Sequence, residues 1–268
     1  MLDLQKVEFM NKEVMSEIAP SIFTMTPSKE VTDKYTHIPT EKVIDDMELL
    51  GWGVVDVKQV KARTEKTQGV QKHLVVFRNN DVVISGEDGD TVFPQIVMTN
   101  SHDGKNCFQF TAGLFRMVCE NGLVISDTQF DDIKMRHMGY TFEDLQVLIK
   151  DIVEKLPLTV DSMNKMKETE IEENKAVEFA QKALTARFSE KEMKRIKVDI
   201  NEILKPVRKE DAGKDLWSIF NVVQEKVIEG DFVYAVGSKI RKARKIKNFK
   251  QDQKVNKELF ALALEYVN

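Results

Sequence analysis

Between Thr40 and Leu50 the apolar residues Val43, Ile44, Met47 and Leu50 recur at helical spacing. Thr40 suits an N-cap and Gly51 stands where a C′ glycine ends a helix, so the pattern predicts a helix over 40–50. Past Gly53 the pattern changes to that of strands. Gly53–Arg63 and Val70–Arg78 are rich in β-branched residues, with Thr67, Gln68 and Gly69 as the hairpin connection. The stretch Asn79–Asp90 is polar and turn-rich, Gly86 and Gly89 supplying positive-φ options. Val92–Thr99 and Cys107–Ala112 form a second pair whose connection carries the turn dipeptide Asp103-Gly104. Leu114–Glu120 is expected as a short helix, and Leu123–Ser126 and Ile133–Met138 as two more strands. Short links between so many strands predict a mostly antiparallel sheet.

From Thr141 onward the period is helical. Thr141 and Asp144 stand in a near-capping-box relation ahead of Leu145, Leu148, Ile149, Ile152 and Val153. Pro157 is expected to end or bend that helix. Val160–Arg187 then reads as one long charged helix. Ser189 and Glu192 form another capping-box pair, Asp215–Glu229 is amphipathic with Gly230 beyond its end, and Gln253–Val267 closes the chain as a helix. Residues 1–36, broken by Pro20 and Pro27, are expected to be an irregular arm that packs on the domain or contacts a neighbour. The fold class is therefore α+β: a mostly antiparallel sheet in the first half, with a helical second half packed on it. The organisation is an arm over 1–36, a β-rich core over 37–139 and a helical region over 140–268.

Composition narrows the function classes. The chain has 268 residues, 42% hydrophobic and 31% charged, which is globular and not disordered. Its net charge of −4 excludes a globally basic binder of histone type but not a local basic patch. Two cysteines, Cys107 and Cys119, are too few for a disulfide framework and wrongly spaced for a metal clip, so a reducing compartment is expected. The N-terminus lacks the pattern of a signal peptide, and no apolar run reaches membrane-spanning length. These features predict a cytoplasmic protein without membrane contact.

Candidate chemistry is thin. The histidines His37, His73, His102 and His137 fall in no metal-ligand spacing. Ser101-His102-Asp103-Gly104 is the most enzyme-like fragment, with His102 as base or ligand and Asp103 as its orienter. Turn chemistry explains the same residues more simply: Asn100 and Asp103 bond to backbone amides and Gly104 takes positive φ. Cys119 sits in an apolar segment and is expected in the core. Glycine-rich phosphate loops are absent from the sequence, and the acidic groups Asp131-Asp132 and Glu170–Glu173 show no spacing that would converge on metals. No catalytic residue, metal or cofactor is expected, and the protein is read as a non-enzyme.

One segment departs from this background. Lys239, Arg241, Lys242, Arg244, Lys245, Lys247 and Lys250 place seven positive charges in twelve residues, and no acid occurs from Phe232 through Gln251. Such a block would neutralise phosphates with counterion release, with Tyr234 and Phe249 offering rings for base stacking. The competing reading is a solvated helix face with Ile240 and Ile246 turned inward. A second cationic set, Lys58, Lys61, Arg63, Lys72 and Arg78, falls on the first hairpin.

The segment Met98-Thr-Asn-Ser-His-Asp-Gly, followed by Gly113-Leu-Phe-Arg-Met-Val-Cys-Glu-Asn-Gly-Leu, resembles a phage- and plasmid-borne family of "phage/plasmid-like" proteins, a domain of unknown function. Leu50-Gly51-Trp52, His73 to Arg78, and Leu216-Trp217 to Asn221 with Glu225 extend the similarity over about residues 40–265. The resemblance implies residence on a mobile genetic element inside a bacterial cell and carries over no functional residue. The element order, hairpins then helices, is similar to the core of phage single-strand annealing proteins, by analogy alone. The combined expectation is a self-associating nucleic-acid-binding protein of a mobile element, acting on single-stranded DNA in annealing or recombination. The alternative is an interaction protein that binds and inhibits a host defence or replication protein.

Overall fold

The computed structural model describes residues 7–33, 35–62, 64–82, 84–85, 91–106, 108–116, 122–123, 133–135 and 141–267. The chain divides into two compact units, one of Met1–Met117 with Gln129–Lys155, the other of Val118–Thr128 with Leu156–Asn268.

The first unit opens with helix α1 (Lys12–Ile18), capped by Asn11, whose side chain accepts from the Val14 amide at 2.9 Å. Helix α2 (Thr40–Leu49) ends at Gly51, with φ of 83° and its amide donating to Glu48 O, as the sequence predicts. Thr40 is not its N-cap. Pro39 holds that position and has no side-chain acceptor to cap with, and the Thr40 hydroxyl is committed to the core.

A sheet follows: β1 (Gly53–Gln59), β2 (His73–Arg78), β3 (Ile84–Ser85), β4 (Thr91–Asn100), β5 (Phe108–Arg116), β6 (Gly122–Leu123) and β7 (Ile133–Met135). Its order is β1-β2-β4-β5-β6, with β3 on β4 and β7 on β5. The pairs β1/β2, β2/β4, β3/β4, β4/β5 and β5/β7 are antiparallel. Of the short helix expected over Leu114–Glu120, Leu114–Arg116 is instead the end of β5, paired with Val92–Pro94, and the rest lies outside the described residues. Cross-strand pairing overrides the local helical signal there.

Alternate residues of the central strands, Val75 and Phe77, Ile96 and Met98, Phe108 and Phe110, share one hydrophobic core. Val43, Ile44 and Met47 of α2 join it. So do Met15, Ala19, Ile22 and Ile38 of the N-terminal segment, which packs on this unit. Leu145, Leu148, Ile149 and Ile152 complete that core from helix α3 (Phe142–Glu168). Thr141 and Asp144 form the expected box at its start, each accepting from the other's amide.

Helix α3 runs on through Pro157, which therefore does not end it, and its C-terminal part belongs to the second unit. The break comes at Thr169–Glu172. There Glu170 bridges Asp215, the Leu216 amide donates to Thr169 O, and the Ile171 amide donates to Lys214 O. The expected single helix over 160–187 is thus two, because backbone pairing claims the amides that a continuous helix would use.

The remaining elements are α4 (Glu173–Arg187), α5 (Glu190–Met193), β8 (Ile196–Val198), α6 (Ile200–Leu204), α7 (Leu216–Glu229), β9 (Val233–Val236), β10 (Lys239–Lys242) and α8 (Phe249–Leu264). Helices α4, α7 and α8 pack together through Phe179, Leu184, Phe220, Val227, Leu259 and Phe260, all at most 1% exposed. Phe220 meets the ring of Phe260 edge-on at 6.0 Å. Ser189 and Glu192 cap α5 as the sequence predicts. A three-stranded antiparallel sheet, ordered β10-β9-β8, completes the unit and has no counterpart in the sequence reading.

Candidate functional site

The basic run folds as β10, the extended chain after it and, at Lys250, the first turn of α8, not as one helix face. Strands β9 and β10 form a hairpin in which Val236 pairs with Lys239 and Tyr234 with Arg241. Gly237 turns it with φ of 60°, and a Cβ added there would meet nothing within 4 Å. All four residues of β10 are exposed, Ile240 to 78% of its surface. Ile240 therefore does not point inward as a helical reading requires, whereas Ile246 is buried at 8% exposure.

After β10 the chain is clamped against the end of α7. The Ala243 amide donates to Phe232 O at 2.9 Å, and the Ile246 amide donates to Ile228 O at 2.9 Å. Between these two bonds the backbone of Arg244 presses on Gly230, the left-handed C-cap of α7 at φ of 76°. A Cβ on Gly230 would lie 2.6 Å from the Arg244 carbonyl carbon. Glycine is required there twice over, for its φ and for the close approach. The buried Ala243 and Ile246 fix the segment while Arg244, Lys245 and Lys247 stay exposed.

Arg187, in the last turn of α4, is the residue sequence reasoning missed. Its guanidinium donates to Val227 O and to Arg244 O, tying α4, α7 and the basic run together. It lies over the rings of Phe188 at 5.6 Å and Phe232 at 5.7 Å. Burial pushes its pKa down, an effect opposed by Tyr234. A cation at that point also meets the carbonyl-rich, negative end of α7. The sequence signal was faint: one arginine closing a charged helix.

These elements enclose an open cleft of about 1060 Å³. Arg187, Arg241, Lys242, Arg244, Lys245 and Lys247 line it together with Tyr234, against two carboxylates, Glu229 and Asp231. Lys242 pairs with Asp231 at 3.4 Å and Lys245 with Glu229 at 2.6 Å. Among the described residues no carboxylate pairs with Arg241, Arg244 or Lys247. Asp231 is held below the usual carboxylate range chiefly by the charge of Lys226, with Lys242 adding to it.

Five of the seven cations in the basic run thus line one cleft; Lys239 and Lys250 are exposed outside it. The described members of the first-hairpin set differ in exposure. Lys58 is exposed and pairs with Asp56 at 3.0 Å, Lys61 is exposed, and Lys72 is half-buried. Arg78 is only 4% exposed, lies 4.9 Å from the centre of the Phe93 ring and has its pKa pushed down by burial, so the exposed-face reading fails for it. Arg63 lies outside the described residues, as do Cys107, Cys119, His137 and the Asp131-Asp132 pair.

The fragment around His102 takes the geometry of a tight loop. Asn100 Oδ1 accepts from the Ser101 amide at 2.8 Å, Asp103 Oδ1 accepts from the Lys105 amide at 3.0 Å, and Gly104 has φ of 71°. His102 is fully buried, its ring 4.7 Å from that of His37 and 5.1 Å from that of His73. The His73 ring contacts Ser21 Oγ and Gln71 O through Nδ1 and Thr40 Oγ1 through Nε2 at 2.7 Å, so both nitrogens are engaged within the core. Among the described residues no group of three or more His, Cys, Asp or Glu is placed to hold a metal, and no helix is long and apolar enough to cross a membrane.

The chain is 26% identical over 256 residues to the UPF0380 protein YafZ of Escherichia coli (strain K12), a match covering 95% of this chain and 90% of that one. It is 25% identical, with the same coverage, to the UPF0380 protein YfjQ of the same organism. No solved structure matches it. The model of the family described as Domain of unknown function (DUF932) matches residues 28–260, and the chain belongs to that family.

Proposed function

We propose that the second unit binds a nucleic acid, taking the phosphate backbone of single-stranded DNA into the cationic cleft. One observation carries this reading: six cationic side chains and only two carboxylates line one open cleft in a chain whose net charge is −4. Local excess of that kind attracts polyanions whatever the overall charge, through release of their condensed counterions. Tyr234, partly exposed on the cleft wall, offers a ring to an unpaired base. The protein is then a binding factor acting in DNA annealing or recombination in the bacterial cytoplasm, a reading that the resemblance to mobile-element proteins supports.

The test is fluorescence anisotropy with a labelled single-stranded oligonucleotide. Wild type binds with affinity that falls as salt rises, and the triple variant Arg241→Glu/Arg244→Glu/Lys247→Glu does not bind while keeping its circular dichroism spectrum. All three side chains are exposed, so charge reversal leaves the core intact. Equal binding by the variant, or salt-insensitive binding by wild type, overturns the proposal.

A further inference from the structure

The two faces of the β9–β10 hairpin differ. Residues opposite each other in an antiparallel pair share a face, and successive residues alternate. Tyr234 and Arg241 are partners, and both line the cleft. Ile240 and its partner Ala235 therefore lie on the opposite face, as do Val233 and its partner Lys242, the one residue of that face that also reaches the cleft lining. Across the strand, Lys197 of β8 pairs with Ala235 and joins them. Ile240 is 78% exposed and Val233 54% exposed. A scattered exposed apolar side chain has no meaning by itself. This one sits two residues beyond a turn with open space around it, on a strand exposed along its whole length, between Lys239 and Arg241.

We infer that this hairpin is a wedge, with Ile240 inserting between bases where a duplex gives way to a single strand. The ligand class is then a forked or tailed duplex rather than a single strand alone. The inference rests on the cleft reading above. The charge distribution selects nucleic acid as the occupant of that face: Lys242 and Lys197, the partners of Val233 and Ala235, share it with Ile240, and no acid occurs in the sequence between Phe232 and Gln251. A two-stranded β-ribbon has the width of a DNA groove, and isoleucine is one of the side chains that unstack a base step when driven into it. With one strand held along Tyr234 and Arg241, the other face of the same ribbon confronts the complementary strand. The apolar contact would separate the two while Lys239 and Lys242 stay within reach of their phosphates.

The experiment places 2-aminopurine at the last base pair of a duplex with a single-stranded tail and follows its fluorescence as protein is added. Wild type raises the signal severalfold and binds the tailed duplex more tightly than the tail alone. Ile240→Ala loses both effects and keeps its affinity for the single strand within a factor of about two, because that affinity comes from phosphate contacts. Ile240→Met, still a long apolar side chain, retains the fluorescence rise. The wedge is overturned if Ile240→Ala unstacks the junction as wild type does, or if wild type shows no preference for the tailed duplex. In both cases single-strand binding remains, and the cleft reading survives. Absence of binding to any of the oligonucleotides overturns both.

Discussion

Glu229 and Asp231 set how many charges the cleft can offer to an incoming anion. Lys242 and Lys245 are each engaged by one of these carboxylates, and the Arg187 guanidinium is committed to two main-chain carbonyls. Three cleft cations, Arg241, Arg244 and Lys247, are left for phosphates. Single-stranded nucleic acid releases about 0.7 counterion per phosphate neutralised, so log K against log salt should fall with a slope of about −2. Replacing both carboxylates by amides, Glu229→Gln/Asp231→Asn, keeps the shape of the side chains and frees Lys242 and Lys245. Five cations then act, and the slope steepens to about −3.5.

Between about 50 and about 200 mM salt, wild type loses about 20-fold in affinity and the double variant about 130-fold. At the low-salt end the variant binds more tightly. Anisotropy titrations at several salt concentrations read both slopes directly. A double variant with an unchanged slope refutes the reasoning, because the two lysines would then make no phosphate contact even when released. Tighter binding at that unchanged slope refutes it equally, since removing negative charge alone would explain the gain.

Two further outcomes follow from the packing. Burial pushes the pKa of His73 down to about 4, against about 6.5 in an unfolded chain. The unfolded state thus takes up a proton that the folded state refuses, and the stability present above about pH 6.5 declines towards pH 4 by about 3 kcal/mol; urea denaturation across that range reads the loss, and His73→Gln flattens it. Gly230→Ala places a Cβ against the Arg244 backbone and adds about 1–2 kcal/mol for the left-handed conformation alone. Its melting temperature should fall and its anisotropy signal weaken, whereas retention of both would show that the clamp on α7 is looser than its geometry.

Legibility in the sequence followed the range of the interactions. The helix over 40–49, its terminating Gly51, both capping boxes and the strands that build the antiparallel sheet were readable because each rests on neighbours a few residues apart. Thr40 was misread as a cap because its hydroxyl meets His73, 33 residues away. Leu114–Arg116 was misread as helix because its partners, Val92–Pro94, lie on another strand. Pro157, which reads in sequence as an end or a bend, does not end α3. The convergence of His37, His73 and His102 left no trace in spacing, since three separate segments deliver them.

The basic run shows where charge counting and structure part company. As sequence it is one block of seven equal cations; in the fold they divide by what holds the backbone around each. Lys239 and Arg241 share a face of β10, yet Arg241 lines the cleft and Lys239 does not. Lys242 and Lys245 answer Asp231 and Glu229 at the end of α7, a site that favours cations without any ligand because the last carbonyls of the helix concentrate negative charge there. Arg187, far outside the block, supplies the bond that fixes Arg244 in place. The division bears on the choice of variants. Reversing Lys242 or Lys245 disturbs an ion pair that the protein makes for itself, so a loss of binding there has two causes. Reversing Arg241, Arg244 and Lys247 removes only charge that no described carboxylate answers, and a loss of binding there has one.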